Sequence, residues 1–217
     1  PYTGPWSDKL YPAATAAEGT SYQGYRTTQA TRTNVVYVGA NDGMLHGFRA
    51  GAYDSAGSFD VTSANDGREL IAYMPGAVVS SIHTTDPNFD YSASRYSHNA
   101  YVDATVGTGD LYYGGAWHTW VAGGLGGGGS PTGVIGDKTS VGKGAFYVLD
   151  VTSPSSFSEA NAASLVVTEV TSDSTHVCNN YSGAAPCWSN LGNTYGTPLI
   201  RRLHDGRWAV IFGNGLN

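Results

Sequence analysis

Apolar and polar positions alternate most clearly between Asn34 and Arg49, which read NVVYVGANDGMLHGFR. Val35, Val36, Tyr37 and Val38 are β-branched or aromatic, Asn41-Asp42-Gly43 follows, and Met44 to Phe48 resumes with apolar residues at alternate positions. The pattern predicts strand, tight turn, strand. Asp tolerates and Gly prefers the positive φ that a primed hairpin turn requires. A two-stranded hairpin is marginal in water, so more strands must come from elsewhere in the chain.

The same kind of pattern recurs to the C-terminus. Arg68–Met74 follows Asn65-Asp66-Gly67 and ends at Pro75, where ladder pairing stops. Further strands are predicted at Tyr101–Val106, from Leu111, over Trp117–Ala122, over Gly144–Thr152 and over Leu165–Val170. A turn is expected at Gly107-Thr108-Gly109-Asp110, and a short helical turn over Ala77–Ile82. The closing hairpin, Leu199–Leu203 and Trp208–Gly213, turns at His204-Asp205-Gly206 and echoes the opening one. Asn41, Asp42, Gly43, Asp205 and Gly206 are therefore read as blade-turn residues. Turn geometry likewise accounts for Asp66 and Asp110.

Residues 1–32 show no sustained period and read as an irregular lead-in, with at most one helical turn near Ala13–Glu18. Short strands separated by turn signals mean a sandwich, a barrel or a propeller. Repeated strand-turn-strand units with uneven loops favour propeller blades. At roughly 40 to 50 residues per blade the chain holds about three or four. The expectation is an all-β fold: residues 33–217 as a partial β-propeller of four-stranded antiparallel blades, a fragment of a longer chain.

Composition agrees with this. Of 217 residues, 30 are Gly and 15 Tyr, and only 13% are charged. The net charge is −6 with no basic cluster, which argues against nucleic-acid binding. No apolar run is long enough for a membrane span. The chain opens at Pro1 without Met or a signal peptide, as expected of a processed product.

Candidate chemistry is sparse. Cys178 and Cys187 lie in a polar stretch and are expected to form a loop disulfide; two free thiols are the alternative, and their spacing does not suit a metal. The run Gly123-Gly124-Leu125-Gly126-Gly127-Gly128-Gly129 does not open a helix as a dinucleotide cradle would, and Asp137 stands where a P-loop needs its first Gly. Close backbone packing or a flexible loop explains it better. The six His have no metal-ligand spacing, so His46 and His118 are expected to be packed or hydrogen-bonded within strands. No nucleophile elbow and no Asp-x-Asp-x-Asp-Gly calcium loop occurs.

The ordered set VYVGANDGMLHGF, GRELIAYMPGAV, HNAYVDAT, WHTWVAGGLGGGG, GAFYVLDVTSP and LGNTYGTPLIRRLHDGRWAVIFGNG resembles the C-terminal β-propeller domain of the type IV pilus tip adhesins, the PilY1/PilC family. The resemblance spans roughly residues 34–217. It implies a non-enzymatic, secreted protein at the pilus tip that supports assembly, counteracts retraction and mediates adhesion. The implied partners are minor pilins and a host or abiotic surface. It implies no cofactor in this stretch: the family's Asp-rich calcium loop is not found here, nor is its von Willebrand-type region. Residues 51–63 and 130–141 depart from the compact motif as loops suited to partner specificity. A quinoprotein-like dehydrogenase propeller and a structural module of another extracellular filament are the alternatives.

Overall fold

The computed structural model describes residues 22–79, 82–83, 85–88, 90–128, 144–171, 188 and 191–214. Three antiparallel sheets follow one another along the chain. The first is β1 (Val35–Gly39), β2 (Leu45–Arg49) and β3 (Glu69–Tyr73). The second is β4 (Gly107–Tyr113), β5 (Ala116–Gly124), β6 (Ala145–Asp150) and β7 (Val166–Thr171). The third pairs β8 (Leu199–Arg202) with β9 (Trp208–Ile211). Short helices α1 (Tyr22–Thr28), α2 (Gly76–Val79) and α3 (Ala162–Leu165) connect or flank them.

The four-stranded sheet is covered on both faces. Val121, Tyr147 and Leu149 pack with Leu45 and Val78 on the side of the first sheet. Trp120, Ala122, Phe146 and Val148 pack with Ile200 on the side of the third. Double burial explains why β6 reads as an unbroken apolar run, with Ala145 to Leu149 all buried, rather than alternating. In β1 exposed and half-buried positions do alternate, and Val36 and Val38 face solvent.

The first two sheets are copies of one unit in shifted phase. Across β1-β2-β3, Tyr37 pairs with Gly47 and Gly47 with Ile71; the register then slips, and Phe48 pairs with Glu69. Across β5-β6-β7, Ala122 pairs with Val148 and Val148 with Thr168; the register slips at the same place, and Leu149 pairs with Val166. The first sheet thus corresponds to the last three strands of the second. The opening hairpin corresponds in strand position to β5-β6, whereas its echo in the closing hairpin lies in the turn.

Both Asp-Gly turns are built alike. Gly43 N–H donates to the Ala40 carbonyl and Ala40 N–H to that of Met44; Gly206 N–H donates to Leu203 and Leu203 N–H to Arg207. Gly43 and Gly206 hold φ of 98° and 88°. Asp42 accepts from Met44 N–H at 3.0 Å, and Asp205 from Arg207 N–H at 3.0 Å. These are three-residue loops closed by a glycine bulge. The two-residue primed turn expected here occurs instead at Gly114-Gly115, where φ is 59° and 91°.

Several expectations are corrected. Residues 22–28 are helical, because Tyr22 and Tyr25 fall on one face and pack on Trp117, with ring centroids 4.8 and 6.2 Å away. A seven-residue helix of this composition is held by such packing, not by propensity. Tyr101–Val106 is not a strand; Tyr101 and Val102 are buried, but their N–H groups go to the Asn41 side chain and the Ala40 carbonyl. Gly107–Asp110 is not a turn but the start of β4. Its glycines admit the third sheet: a Cβ on Gly107 would lie 1.9 Å from the Pro198 carbonyl oxygen. The helical turn expected after Pro75 is found as α2. The glycine run packs backbone closely, since a Cβ on Gly128 would lie 1.8 Å from the Tyr101 carbonyl oxygen. Ala13–Glu18, residues 130–141, Cys178 and Cys187 lie outside the described residues.

Candidate functional site

A cleft of about 770 Å³ lies between α1 and the loop of residues 51–63. Tyr22, Tyr25, Arg26, Arg32, Tyr53 and Asp110 are among its walls. Its floor is a polar network. The Tyr22 hydroxyl donates to Asp110 at 2.7 Å, the Thr119 hydroxyl donates to the same carboxylate at 2.7 Å, and Tyr25 and Thr119 share a hydrogen bond of 2.6 Å. Arg32 donates to Thr119 at 2.9 Å and to the Thr152 carbonyl at 3.1 Å. Burial, then the adjacent Asp110 carboxylate, pushes the Tyr22 phenol far up, so it stays a neutral donor. Asp110, read from sequence as a turn residue, is instead the strand carboxylate that ties α1 to β4.

The facing loop is braced by its own side chains. Asp54 accepts from Ala56 and Ser58 N–H, both at 2.9 Å, and Asp60 accepts from Thr62 N–H at 2.8 Å. Tyr53 and Phe59 form an antiparallel bridge with their rings edge-to-face at 6.1 Å. Tyr53, Phe59 and Val61 are exposed, Val61 to 86%. Aromatic and aliphatic groups are thus held out on a loop ordered in advance, which lowers the entropy lost when a partner binds.

A second constellation sits at the opening turn. His46 on β2 places Nε2 2.9 Å from an Asp42 oxygen and Nδ1 2.5 Å from a Glu69 oxygen, and stacks on Phe48 at 5.8 Å. Burial pulls the imidazole pKa down, but its hydrogen bonds to the Glu69 and Asp42 carboxylates together outweigh it, and the net shift is upward. With a carboxylate at each nitrogen, the protonated ring donates from both, and neither nitrogen is then free to take a proton from a substrate. His118 likewise meets Asp150, at 2.6 Å. Both histidines are hydrogen-bonded strand residues, as expected from their spacing. Among the described residues no group of three or more His, Cys, Asp or Glu side chains has the arrangement of a metal site.

The structure does not bring the five blade-turn residues together. Asn41, Asp42 and Gly43 close the first sheet; Asp205 and Gly206 close the third. Asn41 and Asp42 have further roles, Asn41 fixing Tyr101 and Asp42 fixing His46. The Tyr22/Tyr25 pair and Asp110 were missed in the sequence; the three-residue spacing of the tyrosines was the available signal.

Comparison with known proteins decides the lineage of this arrangement. Residues 7–217 match the PilY1 β-propeller domain. The chain belongs to the PilY1 β-propeller family. It is 31% identical over 217 residues to a type IV pilus biogenesis factor PilY1 homolog of Xylella fastidiosa, covering all of this chain and 13% of that protein. It is 32% identical over 195 residues to type IV pilus biogenesis factor PilY1 of Pseudomonas aeruginosa strain PAO1, covering 90% of this chain and 12% of that one. The crystal structure of the Pseudomonas aeruginosa PilY1 C-terminal domain is similar, with a TM-score of 0.54 and 30% identity over 90% of this chain and 27% of the solved one. The chain therefore spans a small part of the PilY1 proteins it matches. The three antiparallel sheets belong to the family's propeller domain, and the all-β propeller expected from the strand pattern is the observed class. Among the described residues, no helix is long and apolar enough to cross a membrane.

Proposed function

We propose that this chain is the propeller segment of a type IV pilus biogenesis factor that acts by binding rather than by catalysis. The observation that carries this is the PilY1 match over residues 7–217, nearly the whole chain. The site chemistry supports a binding role: His46 has both ring nitrogens engaged by carboxylates, and the main cleft is walled by tyrosines and a braced loop. Minor pilins at the pilus tip are the proposed partners, with the protein on the cell surface balancing assembly against retraction and meeting host or abiotic surfaces. Loop 51–63 is the proposed contact, through Tyr53, Phe59 and Val61. Cys178 and Cys187 are proposed to be disulfide-bonded, as suits an extracellular location.

Deleting the parent gene tests the reading. Loss or reduction of surface pili and attachment, restored by the intact gene, is expected; pili of normal number and adhesion would overturn it. Restoring the gene with Tyr53→Ala/Phe59→Ala tests the loop: minor pilins should no longer copurify, while secretion of the protein continues.

A further inference from the structure

We propose that the three Asp-Gly steps of this chain are guarded against isomerisation to isoaspartate by a cationic side chain clamped on each Asp carboxylate. The steps are Asp42-Gly43, Asp66-Gly67 and Asp205-Gly206. Glycine has no side chain to shield its nitrogen, so Asp-Gly is where a peptide rearranges most readily. The Gly nitrogen bonds to the Asp carboxyl carbon, and the carboxyl hydroxyl leaves as water with the amide proton. Water then reopens the five-membered imide. Entry at the side-chain carbonyl restores Asp, and entry at the main-chain carbonyl gives isoaspartate of the same mass. The new linkage adds one carbon to the main chain, which the closed loops at Asp42 and Asp205 have no room to absorb.

All three steps share one geometry. One carboxylate oxygen accepts from the N–H two residues on, that of Met44 at 3.0 Å, Arg68 at 3.1 Å and Arg207 at 3.0 Å. The other oxygen meets a basic side chain. His46 Nε2 lies 2.9 Å from Asp42, Arg49 Nη2 2.5 Å from Asp66 and Arg207 Nη2 2.6 Å from Asp205. The attacking nitrogens are engaged too, since Gly43, Gly67 and Gly206 donate to the carbonyls of Ala40, Arg49 and Leu203. The turn alone does not call for a cation. Asp54 and Asp60 bond the N–H two residues on in the same way, and neither carboxylate meets a cation among the described residues. They precede Ser55 and Val61, whose side chains shield the nitrogen.

The clamp opposes ring closure in two ways. With both oxygens held, the carboxyl cannot turn its carbon onto the Gly nitrogen without breaking a charge-assisted hydrogen bond. An ionised carboxylate also lacks the proton with which its oxygen leaves. Arg49 and Arg207 hold the Asp66 and Asp205 carboxyls below the usual carboxylate range, so both stay ionised. Arg202 adds positive charge at the third turn, its Nη2 3.5 Å from where a Cβ on Gly206 would stand.

Ageing the full-length protein that carries this chain, folded and in urea, tests the guard. Peptide mapping with electron-transfer fragmentation separates isoaspartyl from aspartyl peptides of equal mass. All three steps should isomerise more slowly folded than unfolded. Arg207→Gln should speed the folded Asp205 step about two- to fivefold and leave Asp42 and Asp66 as they were. Arg207→Lys, which keeps the charge, should speed it less. Arg207 is largely exposed, so the fold should survive both changes, and Arg49→Gln repeats the test at Asp66. Acidification from about pH 7 to about pH 5 should accelerate the Asp205 step in urea and in folded Arg207→Gln, but not in the folded, unaltered protein. An unchanged Asp205 rate in Arg207→Gln would overturn the proposal. So would an equal rise at all three steps, which would assign the effect to a loosened fold, or a lysine variant as fast as the glutamine one. Pilus number and adhesion do not enter this readout, so the guard and the pilus reading fail separately.

Discussion

Tyr73 on β3 donates its hydroxyl hydrogen bond to Glu169 on β7, 96 residues further along the chain. The same carboxylate accepts from Gly76 N–H at 3.0 Å, so one side chain joins the first blade to the second. Burial, then Glu169, raises the Tyr73 phenol far above its ordinary range and keeps the proton in place. Tyr73→Phe should cost about 1–2 kcal/mol in urea unfolding. Combined with Glu169→Gln it should cost less than the sum of the two single changes. Strict additivity would show that the contact is not energetically coupled.

The opening turn needs glycine. At φ 98° a β-branched side chain is strained, and a Cβ on Gly43 would already sit 3.0 Å from Val78. Gly43→Val should lower stability by at least about 1–2 kcal/mol. A thermal midpoint equal to that of the unaltered protein would refute the turn geometry.

Glycine in α1 predicts the opposite sign. Nothing lies within 4 Å of a Cβ on Gly24, and the position is helical. Gly24→Ala should therefore stabilise the fold by up to about 1 kcal/mol. Gly107→Ala, which meets the Pro198 backbone, should destabilise it by at least about 2 kcal/mol. Denaturant midpoints moving in opposite directions would verify both placements.

His46 makes stability depend on pH. Its folded pKa is raised, so the imidazolium is favoured by folding. That contribution is fully present below the unfolded value of about 6.5 and is lost as pH rises through the higher folded value. The stability gap between the unaltered protein and His46→Gln should shrink as pH rises above about 6.5. A gap that widens across this range would reverse the sign.

Much of this was written in local patterns. The alternation in β1 and β2, the apolar run of β6 and the Asp-Gly turns follow from residue type and period, and family motifs carried the propeller. What was not legible depends on partners remote in sequence. Tyr101–Val106 has strand composition, yet its N–H groups find the Asn41 side chain and the Ala40 and Leu125 carbonyls rather than a continuous strand ladder. Gly107 and Gly109 look like a turn and are instead a place where another sheet comes close. Asp110 gives no sign in sequence that Tyr22 will reach it from 88 residues away. The main cleft was invisible for the same reason, since helix, strand and loop meet there only in three dimensions.

The meeting of Gly107 with the Pro198 backbone bears on how such a protein diversifies. Where sheets are spaced by side chains, each substitution acts as a thicker or thinner shim and tilts one sheet against the next. At Gly107 main chain meets main chain with no shim to exchange, while Phe146, Val148 and Ile200 pack side chain to side chain nearby. That one point of contact between the two sheets is thus insulated from side-chain drift. Loops such as 51–63 can change length and chemistry while the platform that presents them keeps its alignment.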